Sequence, residues 1–504
     1  MSNDYLVPYP QAVKIGKNSI LRPKQVCVKG AANTKAIADF LKKDLKDLAK
    51  VKNTPKGFPL QLQIKKSKAK AESYILEISK KGIKLTAPDE AGLFYGVQTL
   101  LQIFVLGDQE NLSELKIEDW PQFRTRSFMI DLGRTVFSFK YLQRIVRMIS
   151  RLKMNALHLH LCDDQLGGLR YKKLPFGSEN PGAITLAELK KLVEYARTYQ
   201  VKIIPEIECW GHAGSMIYHY PELYGAPGMW GGMSFAIGEK LFEILEKVFD
   251  ELLPCLEKKC EVHIGLDEAI WALAKDVPKN KEKDYTPTTL TRRLHDILRK
   301  SEKKAKRKVT IHLWADHGGR PLPKGIEKNF VIQPWMYFEA REDDIKAKVK
   351  KYSGKNKGPF MMGGGMSSNH FGGHFGATRA WCQAGKNSPN VEGITICHWE
   401  NNNIADQLVG LFGGADYAWT PETPKLMGSK VDTYNEYLRA QVTHRMKAWQ
   451  VKFKDGDEEA LQNDMGSVVS NGFYCWGKKA GKAVAPTAWM KMPGQRVGGA
   501  DMDM

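Results

Sequence analysis

Between Arg124 and about residue 420 the chain repeats one unit, a short apolar run followed by an amphipathic stretch, and this repetition limits its fold more than any other feature. Eight runs have strand length: SFMID (127–131), NALHLHLCD (155–163), VKIIPEIE (201–208), EVHIGLDE (261–268), VTIHLWAD (309–316), FVIQPW (330–335), PFMMGGG (359–365) and GITICHW (393–399). The stretches between them carry helical periodicity. Leu142, Ile145, Val146, Ile149 and Leu152 form one apolar stripe, and Phe242, Leu245, Val248, Phe249 and Leu252 another. Thr185 and Glu188 have the spacing of a capping box at the start of a third helix. Strands alternating with helices read as βαβ units around a parallel sheet, and eight strands are the number that closes a (β/α)8 TIM barrel.

The flanks read differently. YILEISKKGIKLTAP (74–88) alternates as strand, Lys-Lys-Gly turn and strand, and the helix-like LFYGVQTLLQIFVL follows it, so residues 1–120 form a small α+β domain. The barrel is expected over 121–420. Residues 421–504 hold two helical stretches, then a loose tail from Lys478.

Composition narrows the partners. The chain has 504 residues, 42% hydrophobic and 26% charged, which fits a large buried core in two or three domains. Its formal charge of +20 raises the question of nucleic acid, but the basic residues are spread over helix faces, as at Lys42, Lys43 and Lys46 and from Arg299 to Lys308. No zinc-finger, RRM or helix-turn-helix pattern accompanies them, so a solvated surface is the expectation, with acidic or sulfated glycans as the alternative. No apolar stretch approaches membrane-span length, and the N-terminus lacks a signal-peptide pattern, which suits a cytoplasmic protein or a processed secreted one. The eight cysteines are scattered, as free buried thiols would be. Cys162, Cys209 and Cys397 fall near strand ends, yet no C-x-x-C or His spacing makes a metal site of them.

Nearly every predicted strand ends in a polar or aromatic residue: Asp131, Asp163, Glu208, Asp267, Glu268, Trp314, Asp316, Trp335 and Trp399. That end of a (β/α)8 barrel is where active sites are built. Helix N-capping explains any one of these aspartates, but not the whole set with its three tryptophans. Asp-Glu occurs four times, at 89, 250, 267 and 457, and only Asp267-Glu268 follows an apolar strand. Strand alternation would turn Asp267 and Glu268 to opposite faces unless the chain has already left the strand there.

His263-Ile-Gly-Leu-Asp267-Glu268 resembles the His-x-Gly-x-Asp-Glu signature of glycoside hydrolase family 20, the β-N-acetylhexosaminidases. PQFRTRSFMIDLGR (121–134), LKMNALHLHLCDDQ (152–165) and PEIECWGH (205–212) resemble further marks of that family in the same order. Pro8-Tyr9-Pro10 and GLFYGVQTLLQ (92–102) look like its accessory α+β domain. The resemblance spans roughly residues 5–400 and implies exo-acting release of terminal β-linked GlcNAc or GalNAc with retention of configuration. It implies Glu268 as general acid and base, and Asp267 as the holder of the substrate's 2-acetamido group, which acts as nucleophile through an oxazolinium intermediate. It further implies Arg134 on the sugar O3 and O4 hydroxyls, Asp163 and His212 as supports, Trp314, Trp335 and Trp399 as pocket walls, and Glu400 as a hydroxyl-binding carboxylate. No metal or organic cofactor is implied.

The departures from the family cluster late in the chain. GGGMSSNHFGGHFG (363–376) contains no tyrosine, where family members carry one that donates to the acetamido oxygen, leaving Ser368, Asn369 or His370 as donors. The spacing of Trp399-Glu400 is one residue short, and Trp210 adds bulk to the third motif. These changes point to an altered substrate. A carbohydrate-binding relative without turnover, and a barrel glycosidase for sugars lacking the acetamido group, are the competing readings.

Overall fold

The computed structural model describes residues 5–228, 232–317, 321–337, 341–365, 375–399, 404–422, 443–450 and 452–453. All eight predicted strands form, and they close into one parallel barrel. They are β1 (Thr125–Asp131), β2 (Ala156–His160), β3 (Lys202–Glu206), β4 (Lys259–His263), β5 (Lys308–Trp314), β6 (Phe330–Gln333), β7 (Phe360–Gly365) and β8 (Val391–His398). Closure comes from β8 pairing with β1, Gly393 to His398 running beside Thr125 to Ile130.

Among the described residues, seven helices of eleven residues or more surround the strands: α1 (Phe139–Arg151), α2 (Leu186–Thr198), α3 (Glu239–Leu252), α4 (Pro287–Ala305), α5 (Glu342–Tyr352), α6 (Phe375–Gly385) and α7 (Ile404–Trp419), with the short helix Gly214–His219 between β3 and α3. Both predicted apolar stripes are buried, and Thr185 with Glu188 forms the reciprocal cap of α2. α4 starts with an unforeseen variant in which Thr289 replaces the usual Glu opposite Thr286. The β5–β6 connection holds no α-helix among its described residues, only the single turn Glu327–Asn329.

Before the barrel lies a seven-stranded mixed sheet, ordered Ala12–Leu21, Asn111–Asp119, Tyr74–Ser79, Gly82–Ala87, Phe58–Ile64, Gln25–Gly30 and Lys52–Asn53. The predicted hairpin of 74–88 is two of its strands, with Ile75 opposite Thr86 and Ser79 opposite Gly82. Helix Glu90–Leu106 is apolar on nearly all sides because it lies between this sheet and the barrel, and its residues 92–105 are buried. The junction also contains charge. Lys153, at the foot of β2, is fully buried with Nζ 2.9 Å from Asp119 Oδ2 and 4.5 Å from the ring of Trp419. Arg126 pairs with Glu72 at 2.8 Å and lies over the same indole, whose N–H donates to Asp119.

Of the expected C-terminal helices, the described part is a helical stretch from Thr443 to Gln450, fastened by Arg445 to Asp416 and to the Leu6 carbonyl. The expected tail from Lys478 lies outside the described residues. The seven described cysteines are free, and among the described residues no helix is long and apolar enough to cross a membrane.

Candidate active site

β4 ends at His263, so the chain has left the strand before it reaches the paired carboxylates. Gly265, Leu266 and Glu268 then adopt positive φ of 63°, 77° and 47°. This left-handed exit replaces strand alternation, and it is what lets neighbouring carboxylates face one space. Non-glycine residues held there cost on the order of 1 kcal/mol each, so the surroundings must fix them. The Glu268 N–H donates to Asp316 Oδ2 at 3.1 Å, and the Trp314 N–H donates to the Gly265 carbonyl. Gly265 itself has no substitute, since a Cβ would sit 2.1 Å from the Glu208 carboxyl.

His212 joins the two carboxylates. It also has positive φ, 46°, and its Nε2 lies 3.2 Å from Glu268 Oε2 and 3.6 Å from Asp267 Oδ2. Its Nδ1 lies 3.4 Å from Asp163 Oδ1 and 3.3 Å from Asp164 Oδ2. Burial alone would lower the imidazole pKa, but Asp163, then Asp164 and Glu268, raise it well above the ordinary value. Asp163 is likewise held well below the usual carboxylate range, despite its burial, by Arg134, His212 and His160. Arg134 contacts Asp163 at 2.7 Å and Asp131 at 2.9 Å, which aligns its guanidinium at the end of β1. Asp164 differs from its neighbour: Oδ1 accepts the N–H groups of Gly214 and Met233, anchoring two stretches of the β3–α3 loop.

Asp267 is nearly buried, and its Oδ1 has no hydrogen-bond partner. Burial pushes its carboxyl up to about 8, with Asp316, Glu206 and Glu268 adding to the shift and His212 opposing it. Beneath it Glu208 is completely buried with neither oxygen bonded, and burial, Asp267 and Glu206 raise its pKa well above the usual range.

A polar layer crosses the barrel below the site. Register places His160 beside Glu206, Glu206 beside His263, and His263 beside His312 across β2 to β5. Glu206 Oε2 lies 2.8 Å from His160 Nδ1 and 3.0 Å from His158 Nε2, while Oε1 lies 2.9 Å from His263 Nδ1 and accepts the Trp314 indole N–H at 2.6 Å. Burial lowers His158, and lowers His263 to about 4; His160, between Glu206 and Asp163, is instead raised to about 10. This layer was absent from the sequence-predicted site, although the i, i+2 spacing of His158 and His160 in β2 marks both as inward-facing.

The three tryptophans converge on one side. Met129, Trp314 and Cys397 form a small buried cluster with Trp335, Tyr337 and Trp399 packed against it. Trp314 and Trp399 are 5.6 Å apart, Trp335 stacks on Tyr337 at 5.3 Å, and Arg134 lies over Trp399. The Trp335 indole donates to Asp316 Oδ1, so Asp316, outside the predicted site, links that wall to the Glu268 backbone. Trp210 belongs instead to the main hydrophobic core. Glu400, Ser368, Asn369 and His370 lie outside the described residues.

Comparison with known proteins bears on the fold and the family. Residues 123–353 match the glycosyl hydrolase family 20 catalytic domain, and residues 3–120 match domain 2 of the same family. A β-hexosaminidase of Porphyromonas gingivalis is 30% identical over 229 residues, covering 40% of this chain and 29% of that protein. A β-hexosaminidase of Vibrio furnissii is 25% identical over 308 residues, covering 53% of this chain and 49% of that one. The chain thus spans less than half the length of these curated relatives. Among solved structures, the family 20 β-N-acetylhexosaminidase of Streptomyces coelicolor superimposes with a TM-score of 0.67 at 19% identity, covering 89% of this chain and 97% of that one. The N-acetyl-β-hexosaminidase of Streptomyces plicatus gives 0.67 at 22% identity, covering 89% and 96%. These structural likenesses speak for the fold. Two adjoining matches to the same family, over the sheet and barrel described above, show that the chain belongs to glycosyl hydrolase family 20.

Proposed function

We propose that this chain is an exo-acting β-N-acetylhexosaminidase that releases terminal β-linked GlcNAc or GalNAc by a retaining, substrate-assisted route. The observation that carries this reading is His212 held between Glu268 and Asp267 on one side and the Asp163–Asp164 pair on the other, beside a wall of tryptophans.

In this reading Glu268 gives its proton to the glycosidic oxygen as the bond to C1 breaks. The carbonyl oxygen of the substrate's acetamido group bonds to C1, forming an oxazolinium ring. Asp267 Oδ1 accepts the amide N–H; such a bond favours the ionised carboxylate and draws its pKa down from about 8, so that a negative charge faces the ring as it becomes positive. Water then attacks C1 as Glu268 takes its proton, and two inversions give net retention. Arg134, aligned by Asp131 and Asp163, offers a forked donor to O3 and O4, while Trp314, Trp335 and Trp399 pack against the sugar and its methyl group. The formal charge of +20 favours glycans carrying carboxylates or sulfates.

Release of the aryl group from an aryl β-N-acetylglucosaminide and from the matching β-glucoside tests the proposal. The expected outcome is turnover of the first alone, with Glu268→Gln about 10²–10⁴-fold slower than wild type. Equal rates on both would refute substrate assistance, and binding without release at any pH would leave a carbohydrate-binding protein.

A further inference from the structure

An acetamido group presents one N–H, one carbonyl oxygen and one methyl, and a pocket that orients it must answer all three. If Asp267 takes the N–H, as proposed above, the oxygen needs a donor of its own. The tryptophan wall is the cluster of Trp314, Trp335, Tyr337 and Trp399 around Met129 and Cys397, whose apolar lining suits the methyl. Its three indole N–H groups are already directed elsewhere: Trp314 to Glu206 at 2.6 Å, Trp335 to Asp316 at 3.1 Å, and Trp399 to the Tyr337 oxygen at 2.9 Å. The Trp399 bond fixes the position of the phenol oxygen while leaving the phenol its own proton to give. That hydroxyl engages the Cys397 thiol, a weak acceptor that an amide oxygen displaces easily. Asp267 lies near enough for its charge to raise the Tyr337 pKa further above the ordinary value than burial does alone.

We propose that Tyr337, at the exit of β6, donates its hydroxyl to the acetamido carbonyl oxygen and sets the angle at which that oxygen meets C1. The inference rests on the hydrolase reading above. It also accounts for the absence of tyrosine from 363–376, because a phenol delivered from the neighbouring strand's exit leaves that segment without this task.

The test replaces the phenol and the substrate atom together. Wild type and Tyr337→Phe are assayed on an aryl β-N-acetylglucosaminide and on its analogue with the acetamido oxygen replaced by sulfur. Tyr337→Phe should lower kcat/KM on the oxygen substrate about a hundred-fold, mainly through kcat, as misorientation of a reacting group does. The oxygen-to-sulfur penalty of wild type should largely vanish in the variant, which a purely structural role would not produce. Cys397→Ala keeps the phenol and should retain the wild-type penalty even if Tyr337→Phe folds poorly. A Tyr337→Phe rate within three-fold of wild type, an unchanged sulfur penalty, or loss of that penalty in Cys397→Ala would overturn the assignment. A wild type inactive on both substrates would instead overturn the hydrolase reading.

Discussion

Asp267→Asn should abolish turnover and make the protein more stable, by an amount that depends on pH. Asp267 is 8% exposed, and its carboxyl is raised from 3.8 to about 8. Between these values the folded protein holds a proton that the unfolded chain releases, so wild-type stability falls as pH rises from about 4 to about 8. Asparagine is isosteric with the protonated carboxyl and keeps what the native state holds, but it gives the unfolded chain nothing to ionise. At pH 7 the difference spans about three pH units at 1.4 kcal/mol each, a ceiling of about 4 kcal/mol in favour of the variant. Half of that would raise Tm by about 2 °C in a chain of 504 residues. Thermal unfolding of both proteins from pH 4 to 8 measures it. The curves should meet near pH 4 and separate steadily toward pH 8. A constant gap across that range, or a variant less stable than wild type at pH 7.5, would refute the reasoning that burial holds Asp267 protonated.

Gly265→Ala places a methyl against the Glu208 carboxyl in a left-handed conformation, and should destabilise by about 2–5 kcal/mol in denaturant unfolding with activity falling alongside. Glu206→Gln leaves the His160 imidazolium with Asp163 as its nearest anion and should cost about 3–5 kcal/mol, read as a shift in urea midpoint; less than 1 kcal/mol would mean that the layer relaxes freely.

The barrel was legible in the sequence because its strands are short, apolar and separated by periodic helices, so even the brief β6 could be placed. The direction of Asp267 and Glu268 was not, because alternation ends at His263 and three left-handed residues decide the rest. Glu206 escaped notice for a different reason. Its meaning comes from register, which sets it between His160 and His263 on adjacent strands, and no local window of sequence holds those three together. Tyr337 lies four residues past the end of β6, where only packing against Trp335 and Trp399 reveals its place. Asp316 was visible as a strand-end carboxylate, but its two partners, the Glu268 amide and the Trp335 indole, come from different loops.

The buried Lys153 bears on how this protein could be taken apart. Its ammonium belongs to the barrel, while Asp119 and Tyr74, which satisfy it, belong to the preceding sheet. An excised barrel would lose the Lys153–Asp119 pair and expose Trp419 with the apolar surface that the sheet now covers. The barrel is therefore no portable cassette: recombination or engineering that separates it from the sheet must also rebuild the underside of β1 and β2, and swaps between relatives should succeed only when both pieces travel together.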